Sequence, residues 1–300
     1  MKFRNILLFI TILLVGINQW GADKINVVTT YRYIADITQR IGGDRLSVTS
    51  LAPGNLDPHF ITPKPSFIAR LRKADLLIIN GGQLEIGWIP PVLQQANNPG
   101  IMPGSKGFLS LMEFIEPLDV NLNASRAQGD VHPEGNPHIQ MDPYNIPLFA
   151  AAIKDELCRL DEDHCTDYQK NCDSFIRQWA EKTAEWDSSL ARLNGVKVVE
   201  YHKLYEYLVH RYHIEVINTI EPLPGIPPSS RHIAEIIESI EKQNARLILQ
   251  DVYHGSQVAK YISGKTGAKV VIIPHDVGAV KEVTDIFSLF DEITRRLTGS

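Results

Sequence analysis

Two short stretches, LDPHFITP at residues 56–63 and GNPHIQMDP at 135–143, each set a histidine directly behind a proline. A third histidine, His202, stands in VVEYHKLYEYL, and an aspartate, Asp276, stands in IPHDVGAV. Three neutral imidazoles and one carboxylate make a four-coordinate set suited to zinc, with bonds of about 2.0–2.2 Å. Imidazole is an intermediate donor and carboxylate a hard one, so manganese or iron also fits. Pro58 and Pro137 fix their own φ and restrict the residue before them, so a ligand on either loop loses less freedom on binding. Four protein ligands leave no open position for water, which argues for binding over hydrolysis. The expected metal ligands are therefore His59, His138, His202 and Asp276.

Other residues compete for these roles. His132 lies in the loop Asn123 to Gly135 and is a candidate for an added contact. His254 follows Asp251 at a strand end, and His275 competes directly with Asp276. His164, His210, His213 and His232 fall on predicted helices or helix ends, with no role at a site. A metal-dependent hydrolase would need an open coordination position and a general base. Glu200 and Asp251 stand at strand ends where such a base could sit, although no motif marks either one.

The elements that must position these residues alternate. Ile25 to Thr30, Leu46 to Leu51 and Leu76 to Asn80 read as strands, with helices over Tyr33 to Ile41 and Phe67 to Lys73. Such alternation predicts a parallel sheet with crossover helices. Val27 to Gly54 then aligns without a gap to Val198 to Gly225, which predicts a second lobe of the same architecture. His59 follows the strand Leu46 to Leu51, His202 the strand Val196 to Glu200, and Asp276 the strand Lys269 to Ile273. Ligands of open α/β sheets bind beyond the carboxyl ends of strands. His138 precedes Asp142-Pro143, read as a helix start with Pro147 able to shift it. Between the lobes, Tyr168, Cys172, Phe175, Trp179, Trp186, Leu190 and Leu193 recur at helical spacing. Thr166 and Gln169 are placed as a capping box, and Asn194-Gly195 supplies the stop. This predicts one stiff helix of roughly 40 Å at 1.5 Å per residue, packed along both lobes.

The 300 residues suffice for two ordinary domains, and 44% apolar with 22% charged residues is a globular composition. A net charge of −5 offers no basic face for nucleic acid. Lys2 and Arg4 precede an apolar run, Ile6 to Ile17, too short for a comfortable membrane span. Residues 1–22 are read as a signal peptide, with no cysteine after the run to carry a lipid anchor. The mature chain is expected to be exported, soluble and monomeric. It divides into a lobe at 23–164, a linking helix at 165–194 and a lobe at 195–300. Of the three cysteines, Cys165 and Cys172 share one helix about 10 Å apart, too far to bond. Cys158 and Cys165 flank a break at Leu160 to His164 and are the expected disulfide, with Cys172 a buried thiol.

Together these segments resemble the periplasmic metal-binding proteins of zinc and manganese ABC transporters, the cluster A-I solute-binding proteins. The matching pieces are DPHFITPKPSFIARLRKADLLIINGGQLE, NPHIQMDP, the helix ending at Leu157, Tyr168 to Asn171, VVEYHKLYEYLVHRYHI and PLPGIPPSSRHIAEIIESI. They occur in order across most of Ile25 to Gly278. The resemblance implies two Rossmann-like lobes joined by a rigid helix, with the metal between them, docking on a membrane permease. The family's histidines fall on His59, His138 and His202, and its carboxylate falls in IPHDVGAV, where Asp276 is the match. Gln140 stands where the family has an aromatic, and His213 where it often has glycine. Three histidines favour zinc, since manganese members often trade one for a second carboxylate.

Overall fold

The computed structural model describes residues 24–123, 131–223 and 225–299. The expected signal segment lies outside them. The first lobe is built on β1 (Ile25–Thr29), β2 (Leu46–Ser50), β3 (Leu76–Ile79) and β4 (Phe108–Ser110). They form one sheet in the order β2-β1-β3-β4, every pair parallel. The second lobe repeats the plan with β5 (Lys197–Glu200), β6 (Glu215–Thr219), β7 (Leu247–Gln250) and β8 (Lys269–Ile272). Their order, β6-β5-β7-β8, is the same permutation, again all parallel. The gapless alignment of the two βαβ segments thus corresponds to one topology used twice.

Apolar spacing explains the crossover helices. In α1 (Arg32–Gly42), Tyr33, Ile34, Ile37 and Ile41 are buried at intervals that keep one face on the sheet. Gly43 ends it at φ 56°, a left-handed conformation that glycine adopts without a Cβ clash. At the matching turn of the second lobe, after α6 (Glu206–Arg211), His213 takes φ 53°. This chain thus places a side chain where the backbone disfavours one.

Two expected helix starts shift. A short turn at Ile139–Met141 precedes α4 (Ile146–Leu160), which begins after Asp142-Pro143 with Pro147 in its first turn. Asp142 instead accepts hydrogen bonds from the Tyr144 amide at 2.9 Å and the Arg211 guanidinium at 2.7 Å. The long helix α5 (Cys165–Leu190) starts from His164, so Thr166 and Gln169 lie inside it and form no capping box. Its 26 residues span about 39 Å.

The α5 stripe of Tyr168, Cys172, Phe175, Trp179, Thr183, Trp186 and Leu190 is buried. It packs on α1, α4 and the last helix, α9 (Ile286–Thr298). Trp179 and Trp186 meet Phe290 with ring centroids 5.4 and 5.2 Å apart. Both indole N–H groups are satisfied, on the Pro143 carbonyl and the Asp291 carboxylate. One apolar core therefore runs from the first sheet through α5 to α9, with a smaller cluster under the outer helices of the second lobe. A helix packed along so much apolar surface is a stiff spine rather than a coiled-coil arm.

Cys158 and Cys165 form the expected disulfide across the α4–α5 break, and Cys172 is a buried thiol. Closing so short a loop stabilises by about 2 kcal/mol in the chain-entropy model. Cys158→Ser is expected to lower the free energy of urea unfolding by that amount. His213→Gly, by relieving the left-handed side chain, is expected to raise it by up to about 1 kcal/mol.

Candidate metal centre

His59 sits in the loop after β2. Its amide donates to Asp57 Oδ1 at 3.0 Å, and its ring Nδ1 meets the same oxygen at 2.8 Å. The Pro58 carbonyl accepts from the Tyr31 hydroxyl at 3.0 Å and the Trp88 indole at 3.2 Å. His138 repeats the device. Its amide donates to Asn136 Oδ1 at 2.9 Å, and the Pro137 carbonyl accepts from Asn80 Nδ2 at 2.8 Å. In both loops a short polar side chain two residues before the histidine closes a turn. In both, a side chain reaching from the sheet edge pins the intervening proline. His202 follows β5 directly, and its Nδ1 meets Glu221 Oε2 at 2.8 Å.

These three imidazoles are buried and come together. One ring nitrogen from each lies within 4.8 Å of the other two. Ring centroids are 5.2, 5.4 and 5.4 Å apart, and the ring planes cross at 77°, 78° and 80°. The Nε2 atoms of His138 and His202 are 3.3 Å apart. Two ligands on a tetrahedral zinc with bonds of about 2.0–2.1 Å are about 3.3–3.4 Å apart. With Nδ1 of His59 and of His202 held by carboxylates, their Nε2 atoms are left to face the common point. A carboxylate behind a metal-binding imidazole fixes its tautomer and strengthens it as a donor. A cavity of about 230 Å³ opens on His138 and His202 and is bordered by His132, Asn136, Lys203 and Glu221.

Asp276 is placed differently. It is not among the three clustered groups. Its carboxylate accepts from the backbone amides of Tyr33 and Val277, each at 2.7 Å, and of Arg32 at 3.1 Å. Two of these belong to the first turn of α1, whose helix carries no side-chain cap of its own. Asp276 thus caps, from the second lobe, a helix of the first.

The electrostatics follow burial. His138 is held well below the usual imidazole range by burial and by the neighbouring imidazoles, so it is neutral, the form that binds metal. Burial lowers His275 to about 4. It raises Asp276 to about 7, against the three amide hydrogen bonds and Arg32, which favour the anion. Burial opposes the Asp57 anion too, but the hydrogen bond and charge of His59 hold it below the ordinary value.

Glu200 is fully buried and pushed well above the carboxylate range by burial and by Glu206. Asp251 binds the Tyr253 and His254 amides and His254 Nδ1. His132 lies ring-to-ring 5.2 Å from His59.

Two orienting carboxylates had not been singled out from the sequence. Asp57 has a local signal, because Asp57-Pro58-His59 and Asn136-Pro137-His138 share one pattern. Glu221 has none, since nineteen residues separate it from His202 and only the parallel pairing of β5 with β6 joins them.

The family model of the zinc-uptake complex component A, periplasmic (ZnuA), matches residues 27–299. The chain belongs to that family. It is a family of substrate-binding proteins, not of enzymes. The high-affinity zinc uptake system protein ZnuA of Bacillus subtilis (strain 168) is 24% identical over 266 residues, covering 88% of this chain and 82% of the relative. A crystal structure of ZnuA superposes with a TM-score of 0.76 at 22% identity, over 92% of this chain and 99% of the other. The Mn-bound periplasmic metal binding protein of Candidatus Liberibacter asiaticus gives a TM-score of 0.75 at 19% identity, with the same coverage. At such identities the ZnuA likeness is one of fold.

Depressed imidazoles carry a definite sign. An unfolded chain takes up protons at His138 and His275 near pH 6.5, whereas the folded chain resists until well below that. The contribution of these two imidazoles to metal-free stability should therefore fall as pH drops below about 6.5, that of His275 levelling off near pH 4, while the raised carboxyls of Asp276, Glu85 and Glu200 act in the opposite sense. Urea titrations of the wild type and His275→Gln from pH 7.5 to 4.5 should diverge, the wild type losing stability relative to the variant as pH falls.

Proposed function

We propose that this chain is the extracytoplasmic substrate-binding component of a metal ABC uptake system, with zinc as its cargo. His59, His138 and His202 hold the ion through Nε2, and Asp57 and Glu221 orient the first and third rings. The carrying observation is the meeting of three buried imidazoles, two from the first lobe and one from the second, within 4.8 Å of one another.

Zinc is favoured over manganese by the donors. Imidazole nitrogens suit zinc, while manganese prefers oxygen ligands in octahedral arrays. The 3.3 Å separation of His138 and His202 also matches the edge of a zinc tetrahedron. Manganese is the rival cargo, because the same fold carries it in the Liberibacter protein. Delivery requires a membrane permease, on which the loaded lobes, 23–164 and 195–300, would dock together. No described helix is long and apolar enough to cross a membrane itself.

Isothermal titration of the stripped protein should give one zinc per chain. His202→Ala should weaken that site by at least a hundredfold while the metal-free melting temperature changes by only a few degrees. A wild-type stoichiometry of zero, or binding untouched by His202→Ala, contradicts the proposal.

A further inference from the structure

Three imidazoles leave a tetrahedral ion one ligand short. The carboxylates around the cluster are already committed. Asp57 Oδ1 holds both the amide and the ring of His59. Glu221 holds His202 Nδ1 through one oxygen, and its other oxygen lies 3.4 Å from His254 Nε2. Asp251 holds two amides and His254 Nδ1. Asp276, the residue the sequence favours, is spent on three amides as the cap of α1.

His275 is differently placed. It is 3% exposed, and its Nδ1 is buried with no hydrogen-bond partner among the described residues. Buried polar side-chain atoms nearly always find a partner, so an orphaned ring nitrogen at the sheet edge that also carries His202 points to a missing ligand. Its place is fixed from two sides. The His275 carbonyl accepts from Gln140 Nε2 at 3.1 Å, only two residues beyond His138. Its ring stands edge-on to Tyr253, with centroids 5.1 Å apart. It follows β8 on the same carboxyl edge from which His202 follows β5.

We infer that His275, through Nδ1, is the fourth ligand of the ion, and that Asp276 is not a ligand. This rests on the three-imidazole reading above and completes it. His275 lies outside the 4.8 Å group, so its ring must turn to reach the ion while its backbone stays held by Gln140. The donor set is then four neutral imidazoles with no carboxylate. Such a set leaves the ion's charge unneutralised by its direct ligands and disfavours the harder manganese. Gln140 acquires a purpose as well, since it positions the His275 backbone.

The test needs no substitution to begin. In ¹⁵N-histidine NMR of the wild-type chain loaded with cadmium-113, four imidazoles should couple to the metal, His275 among them through Nδ1. Three coupled imidazoles, or a fourth belonging to His132, would overturn the inference while leaving the three-histidine site standing. His275→Ala should keep one zinc per chain at about a hundredfold lower affinity, and Asp276→Asn should change zinc affinity by less than threefold. His275→Asp should raise manganese affinity relative to zinc by at least tenfold. Unchanged zinc binding in His275→Ala, or no gain of manganese in His275→Asp, counts against it. Loss of all binding in the wild-type chain would instead sink the reading of the site as a whole.

Discussion

The structure turns on holding three imidazole rings against one another in a buried space. Crowding three imidazoles on one point is costly for side chains that must also leave water. Such a site exists only if the surrounding chain over-determines it. Two turns closed by Asp57 and Asn136, two prolines pinned from the sheet edge, and two carboxylates behind the rings supply that constraint. Each fixes a side chain before any ion arrives, so binding orders little that was free.

The same economy appears in how the lobes meet. Several polar contacts between the halves are directed at backbone groups, beside ion pairs such as Arg211–Asp142 and Arg40–Asp285. Asp276 caps α1, Asp36 accepts from the Ile286 amide at the start of α9, and Asn136 Nδ2 donates to the Lys203 carbonyl. Backbone partners have no rotamers to lose, and a carboxylate at a helix amino terminus also meets a favourable dipole. With α5 packed along one side, these bonds set the distance between the loops that carry His59 and His138 and the one that carries His202. A spine of this kind suits capture by small local movement at the site rather than by wide closure of two lobes.

Much of this was legible in the sequence, for physical reasons. Parallel strands and amphipathic helices have periods of two and 3.6, so the two lobes and the α5 stripe could be read from spacing alone. The histidines stood out because Pro58 and Pro137 make unusual neighbours. What could not be read was which carboxylate does what. Asp276 follows a strand as a ligand should, yet its oxygens turn to the first turn of α1, a contact spanning 243 residues. Glu221 is as remote from His202 in its own way. Helix starts slipped where a side chain had a better partner elsewhere: Asp142 serves Arg211 instead of capping a helix.

Anomalous scattering from crystals of the zinc-loaded protein, collected on both sides of the zinc edge, tests the central claim most directly. A single strong peak bonded to Nε2 of His59, His138 and His202, at about 2.0–2.1 Å from each, is the result this account predicts. A peak elsewhere on the molecule, or a loaded crystal in which these three rings stay unbridged, would contradict it.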